Sequence, residues 1–331
     1  MKAYEPEKHL EEMKTGLQVI SEAERLVDQI VQNGYSNIIF VGIGGTILAE
    51  SQVLHLAKQY GCRLPVYLEN AADLVLEAPA YLDERTLVVT CSASGDTKEI
   101  LAAVDYAQAR GAKVLAYVAT PNTPLAKKAD FPLVHPYGEK EFLYCVVFRL
   151  MYHAGQFPAY QDLITALKAL PENLVSISQT CEKDMAALAM AICEEPLLYI
   201  VGSGSLEDWA TCYGMCIMEE MLWMRSRPIS AANFFHGTLE VIERDVPLLL
   251  FFGEDKTRPE MTRVQRFAET ISAKVYKIDT SDYDLKDIDP SFRPFLSPFI
   301  ISVICRRLSA HLEHLRRHPM AIRRYYRKLT Y

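Results

Sequence analysis

Short unbroken runs of apolar and β-branched residues alternate along the chain with longer stretches whose apolar positions recur at helical spacing. Runs of the first kind suit strands buried on both faces, and the alternation suits a parallel sheet covered by helices. Asn37–Val41 is a predicted strand, and the turn Gly42-Ile43-Gly44-Gly45-Thr46 leads from it into a helix reaching about Tyr60. Thr86–Cys91 is a second strand, followed by the loop Ser92–Thr97 and a helix from about Lys98 to Arg110. Lys113–Val118 is a third. Farther on, a strand-like segment spans Pro228–Ala232, and a last helix is expected from about Phe299 to His318.

The second half repeats the first. Ile39-Phe40-Val41-Gly42-Ile43-Gly44 matches Tyr199-Ile200-Val201-Gly202-Ser203-Gly204, 160 residues on, and Thr86–Cys91 has its counterpart in Val246–Phe251 at the same offset. Ala112-Lys113-Val114 recurs as Ala273-Lys274-Val275, 161 residues on. A nearly constant offset over three strands marks a duplicated α/β fold. The copies differ after the second strand of each: Ser92-Ala93-Ser94-Gly95-Asp96-Thr97 stands opposite Phe252-Gly253-Glu254-Asp255-Lys256-Thr257. A run of hydroxyls without bulk is present in the first copy alone, so the first is expected to bind and the second to serve as scaffold.

Composition adds exclusions. With 331 residues the chain exceeds one typical domain, and its net charge of −7 argues against wholesale nucleic-acid binding. No unbroken apolar run approaches the ~18 residues a membrane span needs, and the polar N-terminus lacks the apolar core of a secretion signal, so the cytoplasm is the expected compartment. The eight cysteines include no Cys-x-x-Cys pair and read as buried free thiols. Residues 306–331 carry eight Arg or Lys against the single acid Glu313, a tail suited to an anionic ligand or a neighbouring subunit.

Ser92–Thr97 follows a strand and opens a helix. Backbone N–H groups at a helix start point outward, and the helix dipole favours an anion there. Ser92, Ser94 and Thr97 add hydroxyl donors and Gly95 permits close approach, so phosphate is the expected ligand. The plainer reading is a helix cap, with Asp96 and Glu99 suiting a helix start. In the turn Gly42–Thr46, the third glycine of a dinucleotide fingerprint would fall at Ile47, and no acid ends the next strand at the usual distance; a nicotinamide enzyme is the weaker reading. Thr46 is a candidate for one more hydroxyl.

Glu219-Glu220 lies in the apolar helical stretch Trp209–Met224, where α-helical spacing groups Glu220 with Tyr213, Cys216, Ile217 and Met224. A carboxylate on such a face suits a proton-shuttling base; the competing reading is a solvated or ion-paired acid. His236 follows in a loop beside Gly237, available for acid–base work. His311, His314 and His318 share a helical face, but flanking arginines favour a solvated basic face over a metal site.

On these residues the sequence resembles the sugar isomerase (SIS) family, in the tandem form found in the isomerase half of glucosamine-6-phosphate synthase. The Val-Gly-Ile-Gly-Gly-Thr turn, the Ser-x-Ser-Gly-x-Thr-x-Glu loop from Ser92 to Glu99, and His236-Gly237-Thr238-Leu239-Glu240 carry the resemblance across about residues 10–331. Phe235 to Ile242, Val246-Pro247 and Arg323-Arg324-Tyr325-Tyr326 are similar to the fructosamine-6-phosphate deglycases of that family. The implied fold is α/β: two tandem SIS domains, each a parallel sheet flanked by helices in three flavodoxin- or Rossmann-like layers. The expected layout is an N-terminal helical segment at 1–36, the first domain at 37–155, a helical linker at 156–195, the second domain at 196–298, and a C-terminal helix and basic tail at 299–331. The resemblance implies that Gly45, Thr46, Ser92, Ala93, Ser94 and Thr97 bind the phosphosugar. The family's catalytic glutamate lies sixteen residues before its His-Gly histidine, which picks Glu220, with His236 as the second catalytic group, supplied in the synthase by the neighbouring subunit. A homodimer or larger assembly follows.

Two departures qualify the resemblance. Relatives often read Gly-Glu-x-x-His-Gly-Pro where this chain has Ala232-Asn233-Phe234-Phe235-His236-Gly237-Thr238, which alters substrate fit. Met1-Lys2 begins the chain without the synthase's glutaminase part, so synthesis of glucosamine phosphate from glutamine is not expected. The implied activity is cleavage of a 6-phosphorylated sugar–amino-acid adduct, such as fructoselysine 6-phosphate, to a hexose 6-phosphate and a free amino acid. It requires no metal or redox cofactor and no nucleic-acid or membrane partner. The alternatives are a phosphosugar aldose–ketose isomerase or aminating/deaminating enzyme, and a non-catalytic phosphosugar sensor.

Overall fold

Strands made only of apolar residues must be covered on both faces, and the interior strands here are. The computed structural model describes residues 4–330. It divides into two units, an N-terminal one of residues 7–171 and a C-terminal one of residues 172–330 with 4–6. In the N-terminal unit Asn37–Gly42 (β1), Val66–Asn70 (β2), Thr86–Ser92 (β3), Lys113–Val118 (β4) and Phe131–Val134 (β5) form a parallel sheet in the order β2-β1-β3-β4-β5. In the C-terminal unit Leu198–Gly202 (β6), Ser226–Ser230 (β7), Leu248–Phe252 (β8) and Val275–Asp279 (β9) form a second parallel sheet in the order β7-β6-β8-β9.

The repeat extends to the pairing register. Ile38 faces Val66 and Leu198 faces Ser226; Val88 lies opposite Ile39 and Leu248 opposite Tyr199, all at an offset of 160. Every residue of β1, β3, β6 and β8 is buried. Val41, Val88, Val114 and Val118 pack with Ile100, Val104 and Leu125 in one unit, while Val201, Leu250 and Phe252 pack with Met261 and Val264 in the other. Each such side chain contributes about 1.5–3 kcal/mol on leaving water. β2 and β5 escape the sequence reading because they are half-exposed edge strands. Their polar residues, and Pro132 within β5, are tolerated there because an edge need not donate on both sides.

The helices that position candidate residues are Gly45–Gln59 (α1), Lys98–Gln108 (α2), Glu139–His153 (α3), Ser205–Cys212 (α4) and Arg293–Leu315 (α5). Residues 156–195 hold the helices Tyr160–Lys168, Leu170–Thr180 and Glu182–Ile192, and the division between the units falls within this segment. β7 ends at Ser230, two residues before the expected strand end, because a one-turn helix, Ala231–Phe234, begins there. α5 starts six residues before its expected start: Pro294 occupies the first turn, where its missing N–H has no partner to lose, and Pro298 is accommodated inside the helix. It stops at Leu315, and Arg317 takes a left-handed φ of +50°. The segment Pro290–Leu315 is long and apolar enough to cross a membrane, yet 78% of its most apolar window is buried within the protein, as a core helix would be.

Candidate functional site

In a doubly wound sheet the strand order reverses between two neighbouring strands, and the loops leaving their carboxyl ends open a crevice there. In the N-terminal unit those strands are β1 and β3. β1 is followed by the turn Gly42–Thr46, in which a Cβ on Gly42 would meet the Ile47 backbone nitrogen at 2.5 Å. Thr46 closes this turn with its own side chain. The Ile43 amide donates to Thr46 Oγ1 at 3.0 Å, and Thr46 Oγ1 donates to the Ile43 carbonyl at 3.0 Å. A ligand role for Thr46 therefore requires exchange of that bond. Gly45 begins α1 and is half-buried.

β3 ends at Ser92, and the loop to α2 is held from below. The Gly95 amide donates to Ser92 Oγ at 3.0 Å, and Ser92 Oγ lies 3.5 Å from Thr97 Oγ1. Thr120 Oγ1 donates to the Ala93 carbonyl at 2.9 Å, and the Leu125 amide to the Gly95 carbonyl at 3.0 Å. Gly95 sits at a φ of +66°, and a Cβ there would lie 2.2 Å from Thr123 Oγ1, so glycine is required twice over. The N-cap of α2 is Thr97, not Asp96, and it makes no side-chain cap hydrogen bond. Ala93 is exposed and Ser94 and Thr97 half-buried. The structure thus brings Ser92, Ala93, Ser94 and Thr97 together around a helix start that Thr97 leaves without its usual cap.

The second copy fills the same place from within. Asp255 stands 160 residues after Gly95 and is buried. Its Oδ2 accepts from the amide and hydroxyl of Ser205, the first residue of α4, both at 3.1 Å. Its Oδ1 accepts from the Thr257 amide at 2.9 Å and hydroxyl at 2.6 Å, and Thr257 Oγ1 lies 3.0 Å from Ser203 Oγ. An internal carboxylate thus takes the donors that a bound anion would use. Sequence reading saw that the loops differ but not that Asp255 supplies the anion; the signal was an acid opposite a glycine.

Glu220 does not lie on an α-helix. After α4 the chain passes into a π-helix, Tyr213–Glu219, and the Glu220 amide bonds back to the Met215 carbonyl at 3.0 Å. The neighbours expected from α-helical spacing are therefore out of register, since each π-turn takes up an extra residue. π-Helical turns recur at functional sites, though as a tendency only. Arg323 Nε donates to Glu220 Oε1 at 2.8 Å, so this carboxylate is ion-paired. Glu219 instead accepts at 3.3 Å from both the amide and hydroxyl of Ser226. Cys212 just before this turn and Cys216 within it are half-buried, and a hydrogen bond from Cys212 holds the Cys216 thiol below its ordinary range. Cys91, Cys145, Cys181 and Cys305 are buried free thiols, while Cys62, Cys193, Cys212 and Cys216 are only half-buried.

His236 lies between the one-turn helix Ala231–Phe234 and a 3-10 turn, Thr238–Val241; it is exposed, with its amide donating to the Asn233 carbonyl at 2.9 Å. The histidine face of the last helix is broken by the helix end. His311 Nε2 lies 3.0 Å from Glu182, which also takes Arg307, whereas His318, past the end, packs on Trp223. Among the described residues no group of three or more metal-ligating side chains is assembled.

A buried acid under the first turn went unread in the sequence. Glu50 of α1 is fully buried with neither carboxyl oxygen hydrogen-bonded, and its Oε2 is near enough that a Cβ on Gly42 would lie 2.6 Å away. Burial, then the charge of Glu139, raises Glu50 well above the usual carboxylate range. Glu139 and Glu141, at the start of α3, are raised by burial as well. Glu50 hides in the helical pattern as one more polar position.

The SIS domain profile matches residues 35–154. The fructosamine deglycase FrlB of Bacillus subtilis (strain 168) is 27% identical over 320 residues, covering 94% of this chain and 97% of the relative. The fructoselysine 6-phosphate deglycase of Escherichia coli (strain K12) is 27% identical over 306 residues, covering 91% and 88%. Among solved structures, a Bacillus subtilis protein named as a candidate phosphosugar isomerase superposes with a TM-score of 0.89 at 27% identity, covering 95% of this chain and 99% of that one. The C-terminal domain of the glucosamine-fructose-6-phosphate aminotransferase of Francisella tularensis, 13% identical, shares the fold at a TM-score of 0.78 over 96% and 97% of the two chains.

Proposed function

Since this chain is a SIS-domain protein, with that domain at residues 35–154 and the SIS-type fold in both parallel sheets, we propose that it is a deglycase of 6-phosphorylated sugar–amino-acid adducts. The observation that carries the reading is the contrast between the two copies. One has a hydroxyl-lined loop before its helix with glycine at position 95, and in the other Asp255, at the place of that glycine, takes the amides and hydroxyls of Ser205 and Thr257. A phosphate matches the first in charge and in oxygen count. Similarity over most of their length to a fructosamine deglycase and a fructoselysine 6-phosphate deglycase supports the adduct as substrate class.

In this reading Ser92, Ala93, Ser94 and Thr97, with Gly45 and Thr46, hold the sugar phosphate. Glu220 removes the C1 proton of an open-chain 1-amino-1-deoxy-2-ketose 6-phosphate, giving a 1,2-enaminol, and returns the proton at C2. His236 handles protons on the ring oxygen or O2. Water adds to the resulting C1 imine, the C1–N bond breaks, and an aldose 6-phosphate and a free amine leave. The protein works in the cytoplasm as a homodimer or larger assembly. Replacing Glu220 by Gln tests the assignment: turnover of fructoselysine 6-phosphate is expected to fall at least about a thousandfold while glucose 6-phosphate still binds. Full activity in that variant rules Glu220 out as the base.

A further inference from the structure

Arg323 lies in the basic tail beyond α5, which the sequence suits to an anionic ligand or a neighbouring subunit. Its Nε donates to Glu220 Oε1 at 2.8 Å, and both side chains are half-buried, with 22% and 35% of their surfaces exposed. Among the described residues Glu220 Oε2 has no hydrogen-bond partner, so the two oxygens of this carboxylate are not equivalent. The tail is braced on the same turn that carries Glu220. Arg323 Nη1 donates to the Met320 carbonyl at 2.6 Å, and the Met320 amide donates to Glu313 Oε1 at 2.9 Å. Trp223, three residues after Glu220, packs against His318 with ring centroids 4.2 Å apart, and the Arg324 guanidinium lies 4.2 Å from the Trp223 ring centre. Trp223 itself holds a φ of +54°, a conformation a bulky residue keeps only where its surroundings over-determine it.

An exposed ion pair alone contributes little to stability. A guanidinium fixed at both ends, gripping one oxygen of a carboxylate, does something else: it sets which oxygen is presented and at what angle. We propose that Arg323 is a positioning residue for Glu220, holding Oε1 so that Oε2 is the oxygen that takes the substrate proton. The inference rests on the assignment of Glu220 as the base. Misorientation of a base acts on the chemical step rather than on binding, so its signature is a loss in kcat at constant KM.

The test compares Arg323→Ala and Arg323→Lys with the wild-type chain, using fructoselysine 6-phosphate as the probe. Amide hydrogen exchange over residues 217–224 is followed in parallel. Arg323→Ala is expected to lower kcat about tenfold with KM within about twofold, and Arg323→Lys, which keeps the charge but not the planar fork, to fall between. Exchange in 217–224 is expected to quicken in the alanine variant. An unchanged kcat overturns the proposal, as does a loss confined to KM, which marks a substrate-binding residue instead. Should the alanine variant fail to fold, the lysine variant decides on the same kcat criterion. If the wild type turns over no adduct, it is the deglycase reading that fails; unchanged exchange in 217–224 then overturns the positioning contact independently.

Discussion

The carboxyl of Glu50 is fully buried, neither oxygen is hydrogen-bonded, and burial followed by the charge of Glu139 raises it well above its ordinary value of 4.5. A folded state that binds this proton more tightly than the unfolded chain has its stabilisation in full below about pH 4.5 and loses it as pH climbs through the raised value. The melting temperature of the wild type is therefore expected to drop between pH 5 and pH 8 more steeply than that of Glu50→Gln. Identical slopes would show that Glu50 does not titrate in the fold. Asp279 titrates in the opposite sense. Burial works against its charge, but hydrogen bonds from Arg258 and Ser281 outweigh it and hold the carboxyl at about 2. That pairing contributes about 2 kcal/mol above pH 4 and loses it as pH falls from about 4 to about 2. Acid unfolding of Asp279→Asn is expected to lack that part of the dependence, and an unaltered acid limb would count against it.

At the scale of elements, the strands buried on both sides were the plainest in the sequence, and of the half-exposed edge strands β7 was read as Pro228–Ala232 while β2 and β5 were not. β1, β3 and β4 announce themselves as apolar runs, whereas the edge strands β2 and β5 mix polar residues and proline with apolar ones and give no such signal. The π-helix at Tyr213–Glu219 was illegible for a different reason. Over seven residues its apolar spacing differs too little from an α-helix for a sequence to tell them apart, so the neighbours of Glu220 were misassigned while Glu220 itself was picked by its distance from His236. The tail contact was illegible because Arg323 and Glu220 are 103 residues apart with no pattern linking them. Two loops make testable elements. Gly95→Ala places a side chain against Thr123 at a left-handed φ, and is expected to cut glucose 6-phosphate affinity at least about tenfold; undiminished binding would separate the loop from the ligand. Asp255→Ala strips the second cradle of its internal anion and is expected to cost about 2–4 kcal/mol, with inorganic phosphate restoring more stability to the variant than it adds to the wild type. Equal phosphate effects on the two proteins would show that the cradle does not accept an anion.

For the molecule as a whole, the duplication was legible because the offset of 160 that aligns the sequence halves also aligns the strand pairings within each sheet. How the copies differ was only half legible: the hydroxyl-rich loop stood out in the first, but the hydrogen bonds of Asp255 to Ser205 and Thr257 in the second had to be seen in place. Calorimetry with glucose 6-phosphate is expected to find one ligand per chain. Product analysis reads the proposed chemistry itself. The wild-type protein is incubated with fructoselysine 6-phosphate in deuterated water and the products are read by mass spectrometry. Glucose 6-phosphate and free lysine are expected, with deuterium at C2 in the fraction of turnovers in which the Glu220 carboxyl exchanges with solvent before returning its proton, and both products are absent when Glu220→Gln replaces the wild type. Recovery of the intact, unlabelled adduct, alongside conversion of fructose 6-phosphate to an aldose, would contradict the deglycase reading.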